Sequence, residues 1–507
     1  MVKPRLGKYW IGLLALMVPS WVVAQVSSLP FSVPAGAGAT FISGGTTAPT
    51  SVGFARIVAN PGSTAPDAFG ILEYRQGGIL ISEAAIPASV PKINHFFGER
   101  FFVEVDGTVN TGVAIANPNS EPATISFGFQ DPVTRLQGAP IGEGSFIIPP
   151  NSQIARFINE PPFNSPAPYF GLMFLTSSIP VSVTALRGLT NERSEFLVTP
   201  VVIGEPSPGT FGSVVTQPRI TAGFIPRFVD GGDWSTEIVL IDRSGADFGA
   251  VTLDFIGPSG EPVPVTIDGQ TSSTFDISIE PRNFIRIRTD GAGGPTRAGY
   301  VRITAREHSA AFAGFALYSY RESDVTVSTA SFPMVQPGDS FQLFVEQSQI
   351  PDLLRTGIAI SNASPSTSIA FLELINEDGV STGLTSAVQI PAFGHFAMFL
   401  NEIPGFTTVP FPFRGILRVT TNTPEGIVLA GVRANVNERS DFLVASILPT
   451  VESDQGLAAE RVLPQVVQGS GYSTEIVLQN SRSVQSTGSI NTVSTSGETL
   501  NLQATSP

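Results

Sequence analysis

The chain has no cysteine and only three histidines in 507 residues. The first absence excludes disulfides, thiol catalysis and Cys-based zinc sites. The second leaves little imidazole for acid–base work. His95, His308 and His395 fall at unrelated points of the sequence, and each reads as a solvated or internally satisfied side chain. Charge is sparse, with 14% Asp, Glu, Lys and Arg and a net of −14. Lysine all but vanishes after the N-terminus, Lys92 being the one residue of that type beyond Lys8. An acidic, lysine-poor surface repels phosphate backbones and argues against nucleic-acid binding. The metalloprotease, nucleophile-elbow and phosphate-loop motifs are missing. No 12-residue window beyond residue 24 carries helical periodicity, and no later run is long and apolar enough to span a membrane.

What is present begins with the N-terminus. Lys3, Arg5 and Lys8 precede an apolar run from Trp10 to Val23, followed by Ala24. This pattern predicts a secretory signal peptide over residues 1–24, cleaved after Ala24. A retained anchor would need about 20 apolar residues, and Pro19 and Ser20 interrupt this run. The expected location is therefore secreted, extracellular or cell-surface, with the periplasm as the remaining compartment. From Gln25 onward the chain has 25 basic and 42 acidic residues, a net of −17, which favours solubility.

Glycine (50) and proline (42) are abundant, and they punctuate short runs rich in Val, Ile, Phe, Tyr and Thr. Around Thr236 these runs are Ser235–Ile241, Ala250–Phe255, Val263–Ile267, Phe275–Ile279, Phe284–Arg288, Tyr300–Thr304, Ala313–Tyr320 and Val325–Ser331. Strands this short, with turns this frequent, predict an all-β chain of antiparallel β-sandwich, Ig-like units.

The units recur at a period of about 120 residues. One anchor reads Thr111-Gly-Val-Ala-Ile-Ala-Asn117, and returns from Thr236 to Asp242, Thr356 to Asn362 and Thr474 to Asn480. A second reads Gly53-Phe-Ala-Arg-Ile57, and returns at Gly171, Gly299 and Gly415. Two types alternate. Those around Thr111 and Thr356 carry Asn-Glu-Arg-Ser-Glu/Asp at 191–195 and 437–441. Those around Thr236 and Thr474 carry Ser-Thr-Glu-Ile-Val-Leu after Trp234 or Tyr472.

The Pro- and Gly-rich connectors set the phase. Sandwich units are expected at 92–203, 218–336 and 337–450, with linkers at 204–217 and 451–459. Two remnants stay over, residues 25–91 and 460–507. The first starts at a proline-containing strand, Phe31-Ser-Val-Pro-Ala35, and the second stops just before that element. Together they hold one unit's strands. Three readings stay open: closure within one chain into a ring, head-to-tail self-association between chains, or a gene product cut short.

Chemistry-bearing residues are few. Glu192 and Arg193, with Glu438 and Arg439, repeat in two copies. A carboxylate pair would suit glycoside hydrolysis, but repetition and the interleaved arginines favour polar hairpin tips in which arginine neutralises the acids. Trp234 and Tyr472 share one site and are expected to cover a sandwich end, with a ligand platform as the alternative. No cofactor is expected. Calcium is the ion that the turns Asp230-Gly-Gly-Asp233 and Asn376-Glu-Asp-Gly379 would suit, although Asp and Asn favour turns in any case.

The Ser-Thr-Glu-Ile-Val-Leu and Thr-Gly-Val-Ala-Ile-Ala-Asn-Pro strands, with the later Phe-x-x-x-x-Tyr-Arg element at 69–75 and 315–321, resemble those of uncharacterised secreted bacterial proteins built of tandem Ig-like β-sandwich repeats. The resemblance covers most of the chain beyond residue 24 and implies no catalytic residue. The expectation is a non-enzymatic protein with a structural, adhesive or surface-interaction role and an extracellular protein or glycan as partner. The alternative is a carbohydrate-binding or polysaccharide-processing protein.

Overall fold

The computed structural model describes residues 26–43, 49–92, 100–130, 141–201, 222–242, 249–280, 283–291, 294–306, 312–349, 353–453, 458–495, 500 and 502–504. The expected signal peptide, the linker at 204–217, and His95 and His308 lie outside them. The protein is all-β, with antiparallel sheets of four to nine strands and one short two-stranded ribbon. After Phe399 the chain makes the 3-10 turn Leu400–Glu402. The matching stretch after Phe157 is a turn closed by the Glu160 N–H on the Phe157 carbonyl.

Residues 222–333 form two four-stranded sheets. One holds Ala222–Asp230, Arg297–Ala305, Gly249–Ile256 and Thr274–Ile279, and the other Phe284–Arg288, Trp234–Asp242, Phe312–Glu322 and Val325–Pro333. Residues 100–201 and 340–451 are built differently. Each makes one continuous sheet, of eight and nine strands, that passes from one layer to the other through short pairings: Val105 opposite Asn110, and Gln347 opposite Arg355.

The two ends of the chain build a third arrangement together. Val26–Val33 lies antiparallel to Ser486–Ser494, with Phe31 opposite Gly488. Gly38–Ser43 pairs with Tyr472–Gln479. Ser51–Ala59 lies between Glu460–Gln468 and Ser486–Ser494, and Asp67–Gln76 between Tyr472–Gln479 and Ile79–Pro87. The result is a four-stranded and a five-stranded sheet drawn from both termini.

Three recurring residues explain why these strands take these positions. The first-anchor threonine staples a neighbouring strand: its hydroxyl donates to a carbonyl and accepts the N–H of the same residue. Thr111 does so with Glu104, Thr236 with Val229, Thr356 with Glu346 and Thr474 with Val467. The second-anchor glycine is required by close approach. A Cβ at Gly53 would lie 2.1 Å from the Val493 carbonyl oxygen, at Gly299 1.9 Å from that of Ile256, and at Gly415 2.2 Å from that of Ile375. The anchor asparagine closes the proline-containing turn. Asn117 Nδ2 donates to the carbonyls of Ile148 and Pro149, Asn362 to Ile390 and Pro391, and Asn480 to Val33 and Pro34. In the last case the donor and the acceptors come from opposite ends of the chain.

The sheet groups do not hang as separate beads. Phe102 of 100–201 packs on Phe284 at 5.4 Å and on Phe315 at 6.4 Å. Phe344 of 340–451 packs on Phe69 at 6.2 Å. Ala359, Ala430 and Val444 share a core with Ile238 and Ala316, and Val198 shares one with Ala84 and Leu463. Each sheet group thus buries apolar surface against two others, and the contacts close into a cycle.

Candidate functional site

The sequence-predicted charged tips come together at the middle of this cycle. Strands Ile79–Pro87, Phe196–Val201, Val325–Pro333 and Phe442–Ile447 end the four sheet groups and contact one another. Ser82 Oγ accepts the Val198 N–H at 2.9 Å, and Ser328 Oγ accepts that of Val444 at 2.8 Å. The hydroxyls of Thr199 and Thr329 lie 2.5 Å apart.

Two tips precede these strands. Asn191 Oδ1 accepts the N–H groups of Arg193 and Glu195, and Asn437 Oδ1 accepts those of Arg439 and Asp441. Each tip folds on its own asparagine and then grips its neighbours. Glu192 accepts the Thr326 N–H at 2.8 Å and pairs with Arg321 at 3.2 Å. Glu438 accepts the Leu80 N–H at 2.9 Å and pairs with Arg75. The tips also meet head to head: Arg193 binds Asp441 at 3.0 Å, and Arg439 binds Glu195 at 2.5 Å and its own Asp441 at 2.7 Å.

Neutralisation therefore runs largely between tips about 245 residues apart rather than within one hairpin. Burial alone would raise these four carboxyls, but their bonds outweigh it. The Thr326 N–H and Arg321 hold Glu192 below the ordinary glutamate value, and the Leu80 N–H and Arg75 do the same for Glu438. Arg439, Asn191 and Arg193 hold Glu195 down, and Arg193, Asn437 and Arg439 hold Asp441 down. All four are ionised joints, a state opposite to that of a general acid.

Trp234 and Tyr472 sit at the first positions of strands Trp234–Asp242 and Tyr472–Gln479. Trp234 is opposite Tyr320 and Tyr472 opposite Tyr74. The rings stack at 4.5 and 4.4 Å. The partner tyrosine in each case belongs to a Phe-x-x-x-x-Tyr-Arg element, Phe315–Arg321 or Phe69–Arg75. In the turns considered for calcium, Asp230, Asn376 and Glu377 are engaged within the protein. Asp230 accepts the Gly291 N–H and pairs with Arg297 at 2.7 Å, and Asn376 Oδ1 accepts the Val380 N–H. Among the described residues no three His, Asp or Glu side chains are grouped to hold a metal. His395 is buried, and burial, with Arg227 nearby, pushes its imidazole down to about 3. A cleft of about 660 Å³ is lined by Arg56, Asn119, Asn151 and Glu460 among others, and its acid is paired with Arg56 at 2.5 Å.

Sequence reasoning missed two buried acid–arginine junctions. Between 100–201 and 222–333, Glu104 binds Arg187 at 3.2 Å and Arg286 at 3.1 Å, and Arg286 binds Glu237 at 2.8 Å. Between 340–451 and the sheets of the chain ends, Arg433 fans out to Glu83 at 3.0 Å, Glu73 at 3.1 Å and Glu346. Arg414 reaches Glu475 at 3.1 Å. A glutamate inside an apolar strand, as in Ser82-Glu-Ala-Ala-Ile86, is the signal that marks such a group in the sequence.

These features define a tandem all-β protein whose sandwich-like sheet groups are locked together by buried polar joints. No family model and no curated protein matches the chain. Among solved structures, it is compared at 10% identity with infectious bursal disease virus Gx strain, over 93% of this chain and 80% of that one, at a TM-score of 0.12. The VP2 subviral particle of that virus gives 10% identity over 80% and 83%, with a TM-score of 0.10. Dimeric latent PorU from Porphyromonas gingivalis gives 9% over 67% and 30%, with a TM-score of 0.12. Scores this low carry no argument about fold or function. Among the described residues no helix is long and apolar enough to cross a membrane.

Proposed function

We propose that this is an exported, non-enzymatic protein with a structural, adhesive or surface-interaction role, akin to the secreted bacterial tandem Ig-like proteins its motifs resemble. One observation carries the reading. The acids that recur in the sequence, Glu192, Glu195, Glu438 and Asp441, are spent on contacts between sheet groups. A carboxylate tied to arginines and backbone N–H groups is a poor proton donor or nucleophile and a good strut. The stacked faces of Trp234 and Tyr472 likewise serve cross-strand packing, which weighs against an open sugar platform.

The test combines export and binding. Sequencing of the exported product is expected to begin at Gln25. The purified protein is expected to bind no glycan on an array and to turn over no polysaccharide. Glycan binding lost in Trp234→Ala, or turnover lost in Glu192→Gln, would replace this reading with the carbohydrate-directed one.

A further inference from the structure

The two acid–arginine junctions occupy matching places, and the comparison is informative. Arg187 lies opposite Thr111 and Arg433 opposite Thr356. Glu104 and Glu346 are both stapled by those threonines. Glu237 and Glu475 each follow an anchor threonine. The remaining positions differ. Ser319, opposite Ser235 and Thr329, corresponds to Glu73, opposite Ser473 and Glu83. Arg286, opposite Val239, corresponds to Thr40, opposite Val477. Phe170, opposite Glu104, corresponds to Arg414, opposite Glu346.

The first junction therefore balances two arginines, 187 and 286, against two glutamates, 104 and 237. The second sets Arg414 and Arg433 against Glu73, Glu83, Glu346 and Glu475. Glu377 adds a fifth carboxylate through Thr40, with Asp378 beside it. Glu83, Glu346, Glu475 and Arg433 are all buried. Glu83 Oε2 has no hydrogen-bond partner, and neither has Oδ1 of the adjacent Asn435.

We propose that the junction joining residues 340–451 to the sheets of the chain ends is a proton-dependent seam, tight when the surplus carboxyls hold protons and loosened as they ionise. Two arginines cannot neutralise three buried carboxylates and the half-buried Glu73, and an uncompensated buried charge is costly. A proton on Glu83 removes the charge from a buried carboxyl whose Oε2 has no donor of its own. The electrostatics agree. Burial, opposed by Arg433 and the Asn435 amide and reinforced by Glu73 and Glu346, pushes Glu83 up to about 8. Burial and Glu346, opposed by Arg414 and Arg433, push Glu475 up to about 7. A carboxyl whose folded value lies above its unfolded one retains its proton in the folded state. Stability therefore falls as pH rises from the unfolded value, near 4.5, to those folded values, and levels off above them.

The test is amide hydrogen exchange on the full chain from pH 5 to 9, corrected for intrinsic exchange. Strands Asp67–Gln76 and Ile79–Pro87 should open more readily as pH rises, by about tenfold per pH unit for each retained proton. Phe312–Glu322 and Val325–Pro333, at the balanced junction, should not follow. The double variant Glu73→Ser, Glu83→Thr copies the balanced junction's residues and should flatten the slope. If it fails to fold, Glu83→Gln, which keeps the shape without the charge, should reduce the slope instead. Equal slopes at both junctions, or an unchanged slope in the variants, would overturn the proposal.

Discussion

Asn480→Ala should release the N-terminal strands selectively. The Asn480 amide donates to the Val33, Pro34 and Val484 carbonyls at 3.0, 2.9 and 2.8 Å. Its two N–H groups serve three acceptors, so the substitution removes about two full hydrogen bonds at about 1 kcal/mol each. Val33 is wholly buried, and stranding its carbonyl adds desolvation cost, for a total of about 2–4 kcal/mol. Asn117→Ala and Asn362→Ala remove equivalent bonds, but their proline turns stay tethered to the same stretch of chain. In Asn480→Ala the turn and its former donor lie 446–447 residues apart, so opening gains more entropy. Hydrogen exchange at residues 28–43 should accelerate by about 30- to 700-fold, at 1.4 kcal/mol per tenfold. Strand Ala222–Asp230 should be little affected. A change below about tenfold at residues 28–43, or one of equal size in both segments, would refute the argument.

Other substitutions probe the remaining joints. Gly299→Ala places a Cβ 1.9 Å from a backbone oxygen and should cost about 3 kcal/mol in urea unfolding, whereas Gly112→Ala, whose nearest neighbour is 3.6 Å away, should cost under about 1. Arg439→Ala breaks the head-to-head tips. With the arginine about one-third exposed and so partly screened, a loss of about 1–2 kcal/mol is expected. Because Glu195 and Asp441 are held below their ordinary values, their contribution is present above the ordinary carboxyl range and is lost as pH falls through the depressed folded values. Melting curves from pH 6 down to 3 should show that loss in the parent chain and less of it in Arg439→Ala. The His395 ring proton resonances should not titrate between pH 5 and 8, and a midpoint near 6.5 would contradict its burial.

The fold class was legible because alternation and turn chemistry are local. The anchors were legible for a similar reason: Thr, Gly and Asn each answer a backbone need that any copy of the sheet must meet. The partners of the charged tips were not. Asn-Glu-Arg-Ser-Asp looks self-sufficient in sequence, and nothing in its spacing tells that Arg193 will neutralise Asp441, 248 residues away. Trp234 and Tyr472 were singled out, but their partners Tyr320 and Tyr74 depend on strand register. Glu73 and Glu83 were overlooked because a lone glutamate in a strand usually faces water. Here a second sheet group covers it, and contacts between groups have no periodic signature.

The pairing of the two ends also fixes an order of events. Ribosomes make residues 26–87 early and residues 460–494 late, and the Asn480–Val33 contact joins groups 447 residues apart. Until the late strands exist, the early ones have unpaired edges and half a core. Contacts of such separation form slowly. The early segment must therefore stay unfolded, or be held so, while the middle sheets assemble. The Asn480 turn is therefore closed by a residue made after every strand that it locks.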